Sequence, residues 1–342
     1  MIFVQFFALL FNMFHPADSP AGVRTGMWRG VLTTNGGELP FNFETKMQDG
    51  HLYFEIINGT ERINADEVKV VDDSVFIKMP VFDSEFRLKY TTTSMSGLYI
   101  NHSRKDKNVF PFNAEFGKAY RFTDEKIKPV ANISGRWEVE FSKGTADSSR
   151  AVGIFQQSGN DLTGTFMTTS GDYRYLDGTV QGDQLFLSTF DGSHAYLFKA
   201  TIDPAGRISG MYYSGNHWQE LWVARHNESY ELPDPYTLTY LKPGYDRFDF
   251  SFPDLTGNKV SLSDDRFKDK VVIVQIMGSW CPNCMDETAF FAPLYNRFHP
   301  KGLEIVGLAY EKTTDFEKAK QNVLRLKDRF GIEYTLSLAV FH

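Results

Sequence analysis

The hydrophobic pattern changes once along the chain, and the longer part of it predicts β structure. Residues 25–226 consist of short runs in which apolar and polar positions alternate, such as HLYFEII (51–57) and QLFLSTF (184–190), and turn sequences such as NGG (35–37) separate them. A period of two is typical of strands that bury one face. Because no helical pattern of useful length interrupts the alternation, the sequence predicts an all-β region.

The all-β region also contains similar sequences about 110 residues apart. The motif G-x-W ends at Trp28 and again at Trp137, and each copy is followed by several hairpin-like strands. A period of this length is too long for a solenoid repeat. We therefore expect two related β units, residues 25–130 and 131–226, arranged either as two small barrels or as one merged sandwich.

Strands and helices alternate in the last third of the chain. Residues 227–246 carry three prolines without a clear period, which indicates a linker. Two continuous apolar runs follow, KVVIVQIM (270–277) and LEIVGLAY (303–310), and such runs are typical of strands buried on both faces. YTLSLAV (334–340) begins a third strand. The order predicts an α/β domain over residues 247–342 with a parallel sheet.

Two helices are expected between these strands. The first runs from about residue 283 to 298. The second begins at a capping box formed by Thr314 and Glu317, and Gly331 marks its end.

The N-terminus resembles an export signal. Residues 1–14 are nearly all apolar, although no basic residue precedes Arg24, and the small residues near Ala17 and Ser19 make a weak cleavage site. We expect a signal peptide over residues 1–19 and a periplasmic or other extracytoplasmic location. A buried first strand and a misplaced start codon are the alternatives. No later segment holds the roughly 20 apolar residues of a membrane span.

Amino-acid composition indicates a globular protein and argues against several classes of function. The 342 residues correspond to about two domains. The hydrophobic fraction of 42% and the charged fraction of 23% are those of globular proteins. A net charge of −7 gives no support to nucleic-acid binding. The two cysteines, Cys281 and Cys284, are too few to staple a fold of this size.

These two cysteines carry the clearest chemical signal. They form a C-x-x-C pair between a buried strand and a helix, which is typical of a dithiol redox site. The first sulfur would lie at the helix N-terminus, where free N–H groups and the helix dipole stabilise a thiolate. Pro282 suits the first helical turn. Trp280 would cover the site with a flat apolar surface on which a partner could dock.

Two interpretations other than a redox site are open for the cysteine pair. A structural zinc site needs four ligands, and His299 and His342 do not complete a recognisable ligand spacing. We therefore expect no metal. A pair of inert buried cysteines is the remaining alternative.

Residues 247–340 resemble the TlpA/ResA-like branch of thioredoxin-fold thiol–disulfide oxidoreductases, within the redoxin or AhpC/TSA group. The resemblance rests on PDL (253–255), the G-x-x-V-S-L hairpin (257–262), WCPNC (280–284) and KGLEIVG (301–307). A β-rich region ahead of such a domain resembles exported proteins of Bacteroidetes-type bacteria.

The resemblance implies a reductant of protein disulfides. Cys281 would be the nucleophile and Cys284 the resolving thiol. The implied partners are protein disulfide substrates and an upstream thiol reductant. No cofactor is implied beyond the redox-active Cys281–Cys284 disulfide.

Two polar residues near the cysteines have supporting roles under this resemblance. Glu287 matches a carboxylate that tunes the thiol pKa values and shuttles a proton. A glutamate that only faces water is the alternative. Gln275 stands where thioredoxins carry a buried acid, and its neutral amide cannot relay a proton.

The chain also departs from the family pattern. Ala289 replaces a helix proline, which is a mild change. No proline follows Pro300, whereas the family places a cis-proline beside the cysteines. We therefore expect an incomplete thioredoxin-like domain, truncated at its C-terminus, whose strand at 271–277 is an exposed apolar edge.

Two function classes stay open. The first is a thiol–disulfide oxidoreductase. The second is a non-catalytic binding protein in which the β region is functional and the redox domain inactive. In the β region Trp28, Trp137, Trp218 and Trp222 either line a ligand groove or belong to the core, and the core is the more common place for them. A peroxidase is disfavoured, because peroxiredoxins use a lone peroxidatic cysteine.

Overall fold

The computed structural model describes residues 22–339. The expected signal peptide over residues 1–19 lies outside this range. Within it the chain folds into 23 strands and two α-helices, and every strand before residue 227 belongs to one of two antiparallel sheets. The expected multidomain fold, a β-rich region followed by an α/β domain, is confirmed.

The first β unit is a curled nine-stranded sheet. Its spatial order is β4-β3-β2-β1-β9-β8-β7-β6-β5, so the first and last strands pair and the sheet opens between β4 and β5. The strands are β1 (Gly26–Thr34), β2 (Gly37–Gln48), β3 (His51–Asn58), β4 (Glu61–Ala65), β5 (Glu67–Val71), β6 (Ser74–Lys78), β7 (Ser84–Tyr90), β8 (Ser94–Asn101) and β9 (Val109–Phe116).

The second β unit is a closed barrel. β11 pairs with both β10 and β12, which closes the ring β10-β11-β12-β14-β15-β16-β17-β18 and leaves the short β13 beside β12. Closure removes the free strand edges that an open sheet would expose. The strands are β10 (Gly135–Phe141), β11 (Ser149–Ser158), β12 (Asp161–Thr168), β13 (Gly171–Asp172), β14 (Leu176–Gln181), β15 (Gln184–Phe190), β16 (Ala195–Ile202), β17 (Ile208–Ser214) and β18 (Trp218–His226).

The two units use the G-x-W motif in the same way. The indole N–H of Trp28 donates to the carbonyl of Arg24, and that of Trp137 donates to the carbonyl of Ile133, four residues earlier in both cases. Both tryptophans are buried in the core of their own unit. The two β units are therefore related in local structure as well as in sequence.

Most of the tryptophans that could have lined a ligand groove belong to the core. Trp28, Trp137 and Trp222 are at most 3% exposed, whereas Trp218 is 48% exposed. Alternating strand positions place these three rings inside the sheets, where large aromatic side chains dominate core packing.

The β units share an extensive interface. The buried guanidinium of Arg121 donates to the carbonyl of Ile57 and the side chain of Asn58 in the first unit, and to the hydroxyl and carbonyl of Ser188 in the second. Phe190, from the second unit, packs in the core of the first. The units therefore form one β region with two cores rather than two separate modules.

The C-terminal domain is an α/β layer structure after an irregular linker. A short hairpin precedes a three-stranded parallel sheet of order β21-β22-β23, with both helices on one face and the hairpin on the other. The elements are β19 (Ser251–Pro253), β20 (Lys259–Ser261), β21 (Val271–Met277), α1 (Pro282–Phe298), β22 (Leu303–Ala309), α2 (Phe316–Phe330) and β23 (Thr335–Leu338).

Two details of the sequence prediction are wrong. β21 is not buried on both faces, because Val271 is 70% and Ile276 65% exposed. Among residues 22–339 this strand pairs on one side only, as an edge strand, and the hairpin covers Val272 and Val274 but not Ile276. The cap of α2 is Asp315 rather than Thr314: the Asp315 carboxylate accepts the N–H of Lys318.

The longest helix of the described part, α1, has 17 residues. No helix between residues 22 and 339 has both the length and the apolar character needed to cross a bilayer.

Candidate redox site

The cysteine pair lies where β21 ends and α1 begins. Cys281 is the N-cap of α1, and its sulfur accepts the backbone N–H of Cys284 at 3.2 Å. The two cysteines form a disulfide with their Cα atoms 5.3 Å apart. Pro282 takes the first helical position, where its missing N–H leaves no bond unmade. The predicted nucleophile, the sulfur of Cys281, therefore lies at a helix N-terminus, half-buried at the surface.

The loop before Cys281 is held by the end of the neighbouring strand. The carboxylate of Glu311, just beyond β22, accepts the N–H and the hydroxyl of Ser279, both at 2.7 Å. The Trp280 indole N–H donates to the carbonyl of Tyr310 at 2.9 Å. These bonds fix the approach of the chain to Cys281. Carboxyl ends of parallel strands meet at one edge of a sheet, which is the only sequence signal that could have pointed to Glu311.

Trp280 also meets a cation. The ammonium of Lys312 lies 4.2 Å from the centre of its ring, within the range of a cation–π contact. The ring is 37% exposed and remains available to a partner on its other parts.

Gln275 of β21 binds α1 through hydrogen bonds of its buried side chain. It is 2% exposed, its amide N–H groups donate to the side chains of Glu287 and Thr288 at 3.1 Å, and its oxygen accepts the hydroxyl of Tyr334 at 3.0 Å. Burial raises the pKa of Tyr334 to about 12, so its hydroxyl stays a donor at neutral pH. The amide thus ties β21, α1 and the start of β23 together.

Glu287 is exposed on α1, and its carboxylate accepts the bond from Gln275. A role towards the thiols stays a prediction.

The second β unit lies opposite the cysteines. A cleft of about 750 Å³ lies between this wall, formed by the barrel, and the redox motif. It is lined by Tyr173, His194 and Tyr196 of the barrel and by Trp280 and Cys281. The side-chain amide of Asn283 comes within 3.5 Å of the carbonyl of Asp172, where the wall approaches the first turn of α1. The β region therefore takes part in the surroundings of Cys281.

An arginine joins this wall to α1. The buried guanidinium of Arg174 contacts the carboxylates of Glu61 and Asp286 and lies 3.7 Å from Asp191. Glu61 belongs to the first β unit and Asp286 to α1, so one side chain connects all three parts of the molecule. Its backbone has a φ of 63°, an uncommon conformation for a residue with a side chain.

Burial and neighbouring charges both shift the pKa values of the carboxyl groups in this cluster. Burial raises the pKa of Glu61, and the nearby Arg174 offsets that effect only partly. Burial alone would also raise the pKa of Asp191, but His194 and Arg174 outweigh it and hold this pKa below its ordinary value.

The cysteines are predictable from the sequence, whereas most of the residues around them are not. Arg174, Tyr173 and His194 lie about 90–110 residues before Cys281, and no local motif marks them. Within residues 22–339 no three His, Cys, Asp or Glu side chains are grouped so that they could hold a metal ion.

Residues 243–336 match the model of the AhpC/TSA family. Two curated relatives are thiol–disulfide oxidoreductases or interchange proteins by name. The protein ResA of Bacillus thuringiensis subsp. konkukian is 38% identical over 64 residues, which cover 19% of this chain and 36% of that protein. The thiol:disulfide interchange protein DsbE of Allochromatium vinosum is 30% identical over 90 residues, covering 26% of this chain and 45% of that one.

A solved structure also matches. The thioredoxin domain of a thiol–disulfide oxidoreductase from Bacteroides vulgatus is 27% identical, with a TM-score of 0.24 over 29% of this chain and 65% of that one. The chain spans between about a third and a half of the length of the curated relatives it matches. The C-terminal domain is thus similar to thiol–disulfide oxidoreductases, and the resemblance seen in the sequence is confirmed.

Proposed function

We propose that the protein reduces protein disulfides through Cys281 and Cys284. The observation that carries this proposal is the position of Cys281: its sulfur caps the N-terminus of α1, accepts the N–H of Cys284 and borders an open cleft. Free N–H groups and the helix dipole at that position favour a thiolate, which is the nucleophilic form.

The exchange needs two steps. The Cys281 thiolate attacks one sulfur of the substrate disulfide, which forms a mixed disulfide and expels the second substrate sulfur as a thiolate that takes up a proton. The Cys284 thiolate then attacks the sulfur of Cys281, releases the first substrate sulfur as a thiol and leaves the Cys281–Cys284 disulfide. Two electrons pass to the substrate, and an upstream dithiol returns them to the protein. No further cofactor takes part.

Single-turnover reduction of insulin tests this proposal. The protein is reduced, freed of reductant and mixed with insulin; we expect about one insulin disulfide reduced per molecule. Cys281→Ser should abolish the reaction. Cys284→Ser should accumulate a mixed disulfide that is visible by mass and is released by added thiol.

Two results would contradict the proposal. Reduction by the Cys281→Ser variant would place the chemistry elsewhere. Complete inactivity of the folded, reduced wild-type protein would favour the alternative function, a binding protein whose β region is the functional part. Thermal unfolding of each variant checks that the fold is intact.

We also propose that the protein acts outside the cytoplasm. The support is the apolar N-terminal segment. Intact mass of the protein from its native host should show the loss of about the first 19 residues after cleavage by a signal peptidase. A full-length cytoplasmic mass would contradict this.

A further inference from the structure

Two clefts share Trp280 as a lining residue. The aromatic cleft is the cleft of about 750 Å³ described above, whose walls include Tyr173, Tyr196, Tyr230, Pro233 and Cys281. The basic cleft has about 390 Å³ and is lined by Arg104, Lys105, Lys312, Lys318 and Arg325. Both volumes fall in the range of ligand-binding clefts. Cys281 lines the aromatic cleft, and the two clefts that share Trp280 are together called the groove.

No single part of the molecule forms this groove. Arg104 and Lys105 come from the loop between β8 and β9 of the first β unit, and Ser193 comes from the second unit. Lys312 lies in the loop after β22 of the C-terminal domain. The substrate side of Cys281 is therefore built jointly by the β region and the C-terminal domain.

The basic cleft has an excess of positive charge. Its five Lys and Arg side chains face only two acids, Asp83 and Glu311. The Glu311 carboxylate already accepts two bonds from Ser279. Within residues 22–339 none of the five cations forms an ion pair. The cleft is therefore complementary to carboxylates.

Two titratable groups at this place have lowered pKa values, for which burial is the largest cause and nearby positive charge the next. Partial burial and, after it, the charge of Arg104 lower the pKa of Lys312. Burial lowers the pKa of His217 to about 4, and Arg104, His194, Lys107 and Lys312 add to the effect. In both groups the lowered pKa means that the protonated, positively charged form is less stable than usual at this place.

We propose that the groove binds an extended acidic segment of a substrate polypeptide, with Asp or Glu side chains in the basic cleft and apolar or aromatic side chains in the aromatic cleft. The segment would place its disulfide at Cys281. This inference rests on the proposed function and names its substrate class. A polypeptide fits better than a small disulfide, because two clefts of about 750 and 390 Å³ share Trp280 beside Cys281 and a small molecule would occupy only one of them.

The test compares two synthetic peptides of equal length. Each has a central cysteine joined by a disulfide to the same small neutral thiol. One peptide carries Asp and Glu around the cysteine, and the other carries Asn and Gln. The reduced full-length protein should reduce the acidic peptide with a kcat/KM about five- to tenfold higher at low salt, and the ratio should approach about one in 0.5 M salt.

Matched variants locate the effect. Arg104→Gln with Lys312→Gln removes two cations from the basic cleft and should reduce the ratio to about one or two. Lys143→Gln with Arg207→Gln removes the same charge from a separate cleft, where both side chains line the surface with Glu138, and should keep the ratio. Equal ratios in the two variants would overturn the proposal.

A binding measurement separates this proposal from the redox chemistry. Fluorescently labelled peptides without cysteine are titrated with the oxidised protein, which needs no turnover. Tighter binding of the acidic peptide, lost in the basic-cleft variant, supports the groove even if insulin is not reduced. Equal binding of both peptides, or faster reduction of oxidised glutathione than of either peptide, would show that the groove does not select acidic polypeptides.

Discussion

Arg174 of the barrel forms an ion pair with Asp286, which lies two residues after Cys284 on α1. The same guanidinium contacts Glu61 of the first β unit, and its side chain is only 5% exposed. The position of the redox helix against the β region thus depends on one buried cation between carboxylates of different parts of the chain.

Replacement of Arg174 should destabilise the folded protein. Arg174→Met leaves the buried carboxylate of Glu61 without its cation and Asp191 with His194 alone, and breaking a buried ion pair in this way costs about 3–5 kcal/mol. Arg174→Lys should also be destabilising, since an ammonium cannot reach several carboxylates as a planar guanidinium does. Urea unfolding measures both.

Arg62→Met is the matched control. Arg62 belongs to the same β4 as Glu61, but its side chain is 45% exposed and lies 3.8 Å from Glu55. We expect a change below about 1 kcal/mol. An Arg174→Met variant as stable as this control would contradict the structural role of the cluster.

His217 should make stability fall at mildly acidic pH. Its pKa in the folded protein is about 4, whereas that of the unfolded chain is close to 6.5; the side chain is exposed at the surface, and partial desolvation together with nearby cations lowers the pKa. Between these values the unfolded state binds more protons, so the free energy of unfolding rises with pH and falls as pH drops from 6.5 towards 4. His217→Gln should remove that part of the pH dependence.

The measurement is the free energy of unfolding at several pH values between 4 and 7. His51→Gln, at an exposed position on β3, serves as the control. If His217→Gln and His51→Gln give the same pH profile as the wild type, the expected contribution of His217 is absent.

Gly171 should be required for the close approach of the barrel to α1. Its φ is 141°, and a Cβ atom there would lie 2.5 Å from the side-chain nitrogen of Asn283. Gly171→Ala should therefore combine backbone strain of about 1–3 kcal/mol with displacement of the Asn283 side chain. Gly159→Ala, with a φ of 61° in the left-handed region and no atom within 4 Å, carries a smaller backbone strain of about 1–2 kcal/mol and no such contact.

A double variant separates the two effects. Asn283→Ala in the Gly171→Ala background removes the amide that the new Cβ displaces, so urea unfolding should recover that part of the lost stability and leave the backbone strain. No recovery would mean that the barrel and α1 do not meet at this point.

Gln275 should stabilise the domain through its three hydrogen bonds. Gln275→Leu leaves the buried hydroxyls of Tyr334 and Thr288 without this partner, at a cost of about 1–3 kcal/mol. Glu287→Gln retains an oxygen that accepts the Gln275 N–H and should change stability much less. Denaturant unfolding of the two variants, compared side by side, checks the difference.

Glu287 has a separate predicted role towards the cysteines. A nearby carboxylate disfavours a thiolate, so Glu287→Gln should speed alkylation of the reduced protein by iodoacetamide at pH 7. Asp286→Asn is unsuitable as a control because it breaks the Arg174 contact; Glu317→Gln, exposed on α2, is suitable. Equal alkylation rates in the Glu287 and Glu317 variants would leave Glu287 as a solvated glutamate.

The sequence by itself determined the element types and the redox motif. Alternating and continuous apolar runs are local patterns, and so is the spacing of Cys281 and Cys284 at a helix start; each depends on neighbours within one strand or one turn. The C-terminal end of α2 at Gly331 was predictable for the same reason. The cap at Asp315 was missed because two adjacent residues, Thr314 and Asp315, are both suitable caps.

Only the tertiary structure decided what surrounds Cys281. The alternation of apolar and polar residues shows which face of a strand is buried. It does not show which residues of another domain the loops between strands contact. Arg104, Tyr173 and Arg174 reach the C-terminal domain from more than 100 residues away in sequence, across the interface between the β region and that domain. For β21 the sequence supported two opposite expectations, a strand buried on both faces and an exposed edge, and the tertiary structure decided between them, since a continuous apolar run does not show whether a neighbouring element covers it.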